Sequence, residues 1–198
     1  MIAGVVLAAG GSTRFGSPKQ LADLRGRPLL EHALDAIRAV PAIDPIVVVL
    51  GAQVDAVRER VDLDGIEVAI ATDWREGISA SLRAGVGAAA EADAIVIVLG
   101  DQPMITPQVI AAVLDRVDGP QPAARATFAG APGHPVLVKR SLFAELAELG
   151  GDEGARALLE AQGVETVECG HLASAHDVDT PADLAAIGGR DDRLEVSG

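Results

Sequence analysis

The chain has 198 residues, 49% of them apolar, and a formal net charge of −13. That length suits one domain with a real core, and the apolar content excludes a disordered chain. Such an acidic balance, with three Phe, one Trp and no Tyr, argues against nucleic acid or an anionic membrane surface as partner. No apolar run reaches the length of a bilayer span. "MIAGVVLAAGG" carries no basic segment ahead of its apolar run, so no signal peptide is expected. A lone Cys169, read as a small strand residue, fits a reducing compartment, and a cytoplasmic location is the expectation.

In chain order, apolar runs predict strands over residues 2–7, 46–50, 66–71, 94–99, 135–138 and 164–168. The first, second and fourth are almost unbroken, as in a parallel sheet covered on both faces. Amphipathic stretches between them predict helices over 28–40, 54–61, 79–91, 107–117 and 153–161. Pro28, Pro107 and Pro181 each suit a first helical turn, and Thr106 and Thr180 suit N-caps. The alternation implies a three-layer α/β domain over residues 1–189, with 190–198 as a polar tail. With the common 3-2-1-4 order, the first and fourth strands are neighbours, and ligands bind beyond their carboxyl ends.

The turns leaving those two strands are "LAAGGSTRFGSPKQL" and "LGDQPM". The first is glycine-rich but lacks both the P-loop Lys-Ser/Thr and a Gly-x-Gly-x-x-Gly. Gly10, Gly11 and Gly16 allow positive φ, so successive N–H groups can cradle an anion, with Arg14 and Lys19 as placed cations. Asp101 directly follows a buried strand, where a carboxylate can ligate Mg²⁺ or simply shape a turn. In "DVDTPADL", Thr180 and Asp183 read as a capping box, which leaves Asp177 or Asp179 free to complete a metal site. "TDWREGISASLRAG" offers Gly77, Ser79 and Ser81 to a ribose or base, or equally as caps, while Trp74 reads as a packing lid. His134 stands in "GAPGHPVLV" with no partner at metal-ligand spacing.

Taken together, these segments and "GDEGARALL" resemble the MobA-like nucleotidyltransferase family over nearly the whole chain. "GDQP" and "GHPV" are similar to its molybdenum-cofactor cytidylyltransferase branch. Phe15, and "ATD" before Trp74, depart from that branch's pattern. The resemblance implies a three-layer Rossmann-like fold with a mostly parallel sheet. It implies that Leu7, Ala8, Ala9, Gly10, Gly11, Arg14 and Lys19 hold a nucleotide, with Gly77 and Ser81 near base or ribose. Asp101 and Asp179 would ligate Mg²⁺, and His134 and Arg156 would face the acceptor. The implied reaction is cytidylyl transfer from CTP to the terminal phosphate of molybdenum-bearing molybdopterin, the product passing to a molybdenum hydroxylase. GTP or ATP as donor, another phosphorylated acceptor, or a non-catalytic cofactor carrier remain alternative readings.

Overall fold

The computed structural model describes residues 1–12, 15–151, 155–174 and 176–188. The expected tail, 190–198, lies outside the described residues. Strands β1 (Ile2–Ala8), β4 (Ile46–Leu50), β5 (Ile66–Ile70) and β6 (Ala94–Leu99) carry the nearly unbroken apolar runs or pair beside them. A short antiparallel pair, β2 (Asp23–Leu24) with β3 (Arg27–Pro28), precedes helix α1 (Leu29–Arg38). Three more strands, β7 (Ala123–Phe128), β8 (Ala131–Lys139) and β9 (Val164–Glu168), complete a seven-stranded sheet of order β5-β4-β1-β6-β8-β7-β9. β8 alone runs antiparallel to its neighbours β6 and β7. The β5-β4-β1-β6 part is the expected 3-2-1-4 order, with β1 hydrogen-bonded to β6 from Ile2–Ala94 to Leu7–Leu99.

Both faces are covered, which explains the unbroken runs. On one face Val6, Val48, Val96 and Val98 pack with Leu30, Leu34 and Ile37 of α1 and with Val109 and Val113 of α4 (Pro107–Leu114). On the other, Val5, Val49, Ile95 and Ile97 meet Leu82 and Val86 of α3 (Ile78–Ala88), Leu146 of α5 (Phe143–Ala147) and Leu159 of α6 (Arg156–Gln162). Each such buried side chain contributes about 1.5–3 kcal/mol relative to exposure. A small third cluster joins Leu24, Leu29, Val178 and Ile187, and so anchors the 177–179 segment beside α7 (Pro181–Gly188). Helix α2 (Val54–Arg60) completes the set, and among the described residues no helix is long and apolar enough to cross a membrane.

The capping signals are realised with one correction. The Thr106 hydroxyl accepts from the Val109 N–H at 3.4 Å, and Thr180 and Asp183 exchange backbone-to-side-chain bonds at 2.8 and 3.3 Å, a capping box. Pro28, expected as a first helical residue, instead closes the β2–β3 pair, and α1 begins at Leu29. β7 was not expected at all. "AARATF" has few β-branched residues, and its pairing with β8 and β9, not its own propensity, makes it a strand.

Candidate active site

The carboxyl ends of β1 and β6 lie side by side and open onto a cleft of about 280 Å³. Its floor is Leu7, Ala8, Ala9 and Gly10 from the end of β1, with Leu99, Gly100 and Asp101 from β6. Gly77, Ile78 and Ser81 bring the N-terminal end of α3 to one wall, and Trp74, Lys19 and Gln20 form the rest. Gly77 must be glycine, because its backbone sits at φ 111°, ψ −166°, a region closed to side chains. Trp74 is therefore part of the cleft wall. It carries Arg75 4.5 Å above its ring and leaves no room for a side chain at Gly11, whose Cβ would stand 2.7 Å from the indole. Gly11 itself does not line the cleft.

The glycine-rich segment is held by a residue that sequence reasoning passed over. Buried Gln20 donates from Nε2 to the carbonyls of Ala8 and Gly10 at 2.9 and 3.0 Å, tying the loop's return to its start. The Ser12 hydroxyl accepts the Lys19 N–H at 3.0 Å. Positive φ falls at Ser12 and Gly16, not at Gly10 or Gly11, which corrects the expectation for those two glycines. Arg14, expected on the phosphates, lies outside the described residues.

Charge converges at one end of the cleft. Lys19 Nζ donates to Asp101 Oδ2 at 2.5 Å and to Asp179 Oδ1 at 3.2 Å. Burial pulls the Lys19 ammonium toward neutrality, but Asp101 and then Asp179 outweigh it and hold its pKa above 10.5. Asp179 is brought there by its neighbour: buried Val178 donates its N–H to the Asp101 carbonyl at 3.0 Å. Asp177 on the other side of Val178 turns to Gln102, accepting from Nε2 at 2.6 Å. Desolvation raises the Asp177 pKa, the Gln102 bond partly offsets this, and the charges of Asp101 and Asp179 add to the rise. Asp179, not Asp177, thus faces Lys19. Among the described residues no group of three or more His, Cys, Asp or Glu could hold a metal ion. Ser79 belongs to the scaffold, its buried hydroxyl donating to the Gly151 carbonyl at 2.5 Å.

His134 and Arg156 come together elsewhere. They line a separate cavity of about 100 Å³ that shares Leu7 and Ile78 with the main cleft. Burial, and next the charge of Arg125, push the His134 pKa down to about 4, so its ring is neutral at pH 7. Arg125, from β7, lines the same cavity and was not foreseen. A lone charge within an alanine-rich run before "GHP" is the signal that could have found it.

Known proteins share this architecture. A crystal structure of a homologue of Mycobacterium tuberculosis Rv0371c, from Mycobacterium sp. strain JC1, is 35% identical, covers 98% of each chain and superposes with a TM-score of 0.83. The Rv0371c protein of M. tuberculosis H37Rv in complex with manganese is 34% identical over 94% of this chain and 97% of that one, with a TM-score of 0.80. The nicotine blue oxidoreductase of Paenarthrobacter nicotinovorans is 32% identical over 196 residues, 90% of this chain and 92% of that protein. Residues 4–167 match the MobA-like NTP transferase domain, and the chain belongs to that family.

Proposed function

We propose that the protein transfers a cytidylyl group from CTP to the terminal phosphate of a molybdopterin-type acceptor, releasing pyrophosphate. The observation that carries a transferase reading is Lys19 held between Asp101 and Asp179 at the mouth of two adjacent parallel strands. CTP as donor rests on the resemblance of "GDQP" and "GHPV" to the cytidylyltransferase branch. In the reaction an acceptor phosphate oxygen forms a bond to the α-phosphorus, and the bond to the β-phosphate oxygen breaks. That oxygen keeps the electron pair as pyrophosphate leaves. The attacking oxygen is already ionised near neutral pH, so no general base is required.

Catalysis is then alignment and charge neutralisation. Two convergent carboxylates, completed by substrate oxygens and water, are a donor set that suits Mg²⁺, and a manganese complex of a relative agrees with divalent metal use. Asp101 and Asp179 would hold that ion, which would neutralise phosphate charge when bound. Lys19, released from the carboxylates, neutralises the departing pyrophosphate, a role that the family resemblance also gives to Arg14. Ala8, Ala9 and Gly10 let the nucleotide approach the backbone, while Gly77 and Ser81 border its base or ribose. His134 and Arg156 face the acceptor. The dinucleotide product is then handed to a molybdenum hydroxylase.

Calorimetric titration with CTP, GTP, ATP, UTP and NAD, each with and without Mg²⁺, tests this. Selective, metal-dependent CTP binding supports it. Preference for GTP or ATP keeps the chemistry and changes the donor. A second reading, redox chemistry, is favoured by the named activity of the 32% identical relative. Binding of NAD without any triphosphate would favour that reading.

A further inference from the structure

Arg125 stands out because, among the described residues, its side chain has no hydrogen-bond or salt-bridge partner. It is 7% exposed, and its Nε–H is buried with no acceptor. Glu160 is close enough to act on it electrostatically but is taken by Arg156, whose Nε donates to Glu160 Oε1 at 2.8 Å. Burial first, and then Arg156, lower the Arg125 pKa, yet a guanidinium stays charged throughout the physiological range. A buried N–H left without an acceptor costs stability, and an anion seated against the guanidinium in the cavity would supply one. The sequence makes room for it. Ala123 lies on the same face of β7, Ala124 and Ala126 turn to the opposite face, and Val136 pairs across on β8.

We infer that Arg125 is the anion-recognising residue of a second subsite, which takes a phosphate monoester group in the cavity it shares with His134 and Arg156. The cavity accommodates one small group, not a nucleotide, and adjoins the main cleft through Leu7 and Ile78. His134, neutral in this setting, serves as a hydrogen-bonding wall and does not add a third positive charge. Arg156 stands at the solvent side, 70% exposed, where a charged group enters. That the phosphate belongs to the acceptor rests on the transferase reading; that the subsite binds phosphate does not.

The test titrates inorganic phosphate, without nucleotide or metal, into the wild-type protein and into Arg125→Met, Arg125→Lys and Arg58→Met. The expected result is phosphate binding by the wild type, weakened about tenfold or more in Arg125→Met. Arg125→Lys should recover part of it, and Arg58→Met, exposed on α2 and lining neither cavity, should bind as the wild type does. In the absence of phosphate, Arg125→Met should melt no lower than the wild type, since it removes a buried N–H that has no acceptor. Its binding of CTP with Mn²⁺ should match the wild type. Absence of phosphate binding by the wild type at millimolar concentration overturns the inference. So does undiminished binding by Arg125→Met, or a lower melting temperature for that variant. Acetate that displaces phosphate at equal concentration overturns the phosphate assignment. If no nucleoside triphosphate binds the wild type, the transferase reading falls, while selective loss of phosphate in Arg125→Met still upholds the subsite.

Discussion

The two ends of the site handle positive charge in opposite ways. At the cleft mouth Lys19 is answered by Asp101 and Asp179, so its charge is met within the protein. In the neighbouring cavity the Arg125 side chain has no hydrogen-bond partner among the described residues and His134 is held neutral. The first arrangement suits an exchange, in which arriving cations and phosphates replace internal pairs at little net cost. The second suits capture, because the ligand supplies an acceptor for the Arg125 guanidinium. An acidic protein can thus hold anions through local arrangement despite its net charge of −13.

Removing charge at the Lys19 end should damage chemistry far more than stability. Asp101→Asn keeps the shape of the side chain and its place after β6. It is expected to cut turnover by about 10²–10³-fold with little change in melting temperature. Steady-state kinetics alongside thermal melts check this, and a fully active variant would remove Asp101 from the mechanism. The cavity end should show itself in acid. His134 has a folded pKa of about 4 against 6.5 for the ordinary ring, so the unfolded chain binds the extra proton between those values. Its contribution is fully present above pH 6.5 and is lost as pH falls toward 4, about 3 kcal/mol by linkage. Denaturant melts across that window should be flatter for His134→Asn than for the wild type.

Part of this contrast was written in the sequence. β1, β4 and β6 are legible because both their faces are buried, and their order placed the loops bearing Lys19 and Asp101 together. The choice between Asp177 and Asp179 was not legible. It depends on Val178, pinned to Asp101 by its backbone and buried against Leu24, Leu29 and Ile187, a tertiary contact no local pattern reports. Gln20 was passed over because its work is done on carbonyls, which carry no side-chain signature. Arg125 was hidden more deeply. The lone charge in "AARATF" marks the residue, but the strand is made by its neighbours, so neither the strand nor the direction the charge faces is local information.

Lys19→Met acts at the cleft mouth. It removes the ammonium that Asp101 and Asp179 share, a loss of about 1.5–3 kcal/mol for hydrogen bonds to charged groups. Adding Mn²⁺ should recover more stability in this variant than in the wild type, because the metal no longer competes with an ammonium. Equal metal-induced shifts in melting temperature for both proteins would show that Lys19 and the metal do not share these carboxylates.

The smallest effect concerns a third way of meeting charge, on the hairpin that carries Arg125 and His134. Glu168 at the end of β9 accepts the N–H groups of Ala129, Gly130 and Gly170 at 2.9, 3.1 and 3.0 Å, and the Thr127 hydroxyl at 2.9 Å. The three backbone donors, and then Thr127, hold its pKa down to about 2 without any cation. Its contribution is therefore present above pH 4.5 and is lost as pH falls toward 2, below the window in which His134 acts. Glu168→Gln keeps one acceptor oxygen and removes the charge, so the turn between β7 and β8 should loosen only slightly. The expected signature is a small drop in melting temperature at neutral pH that disappears by pH 2, with phosphate binding at Arg125 unchanged. A large loss of phosphate binding instead would mean that this turn sets the position of β7, and that Arg125 owes its placement to Glu168.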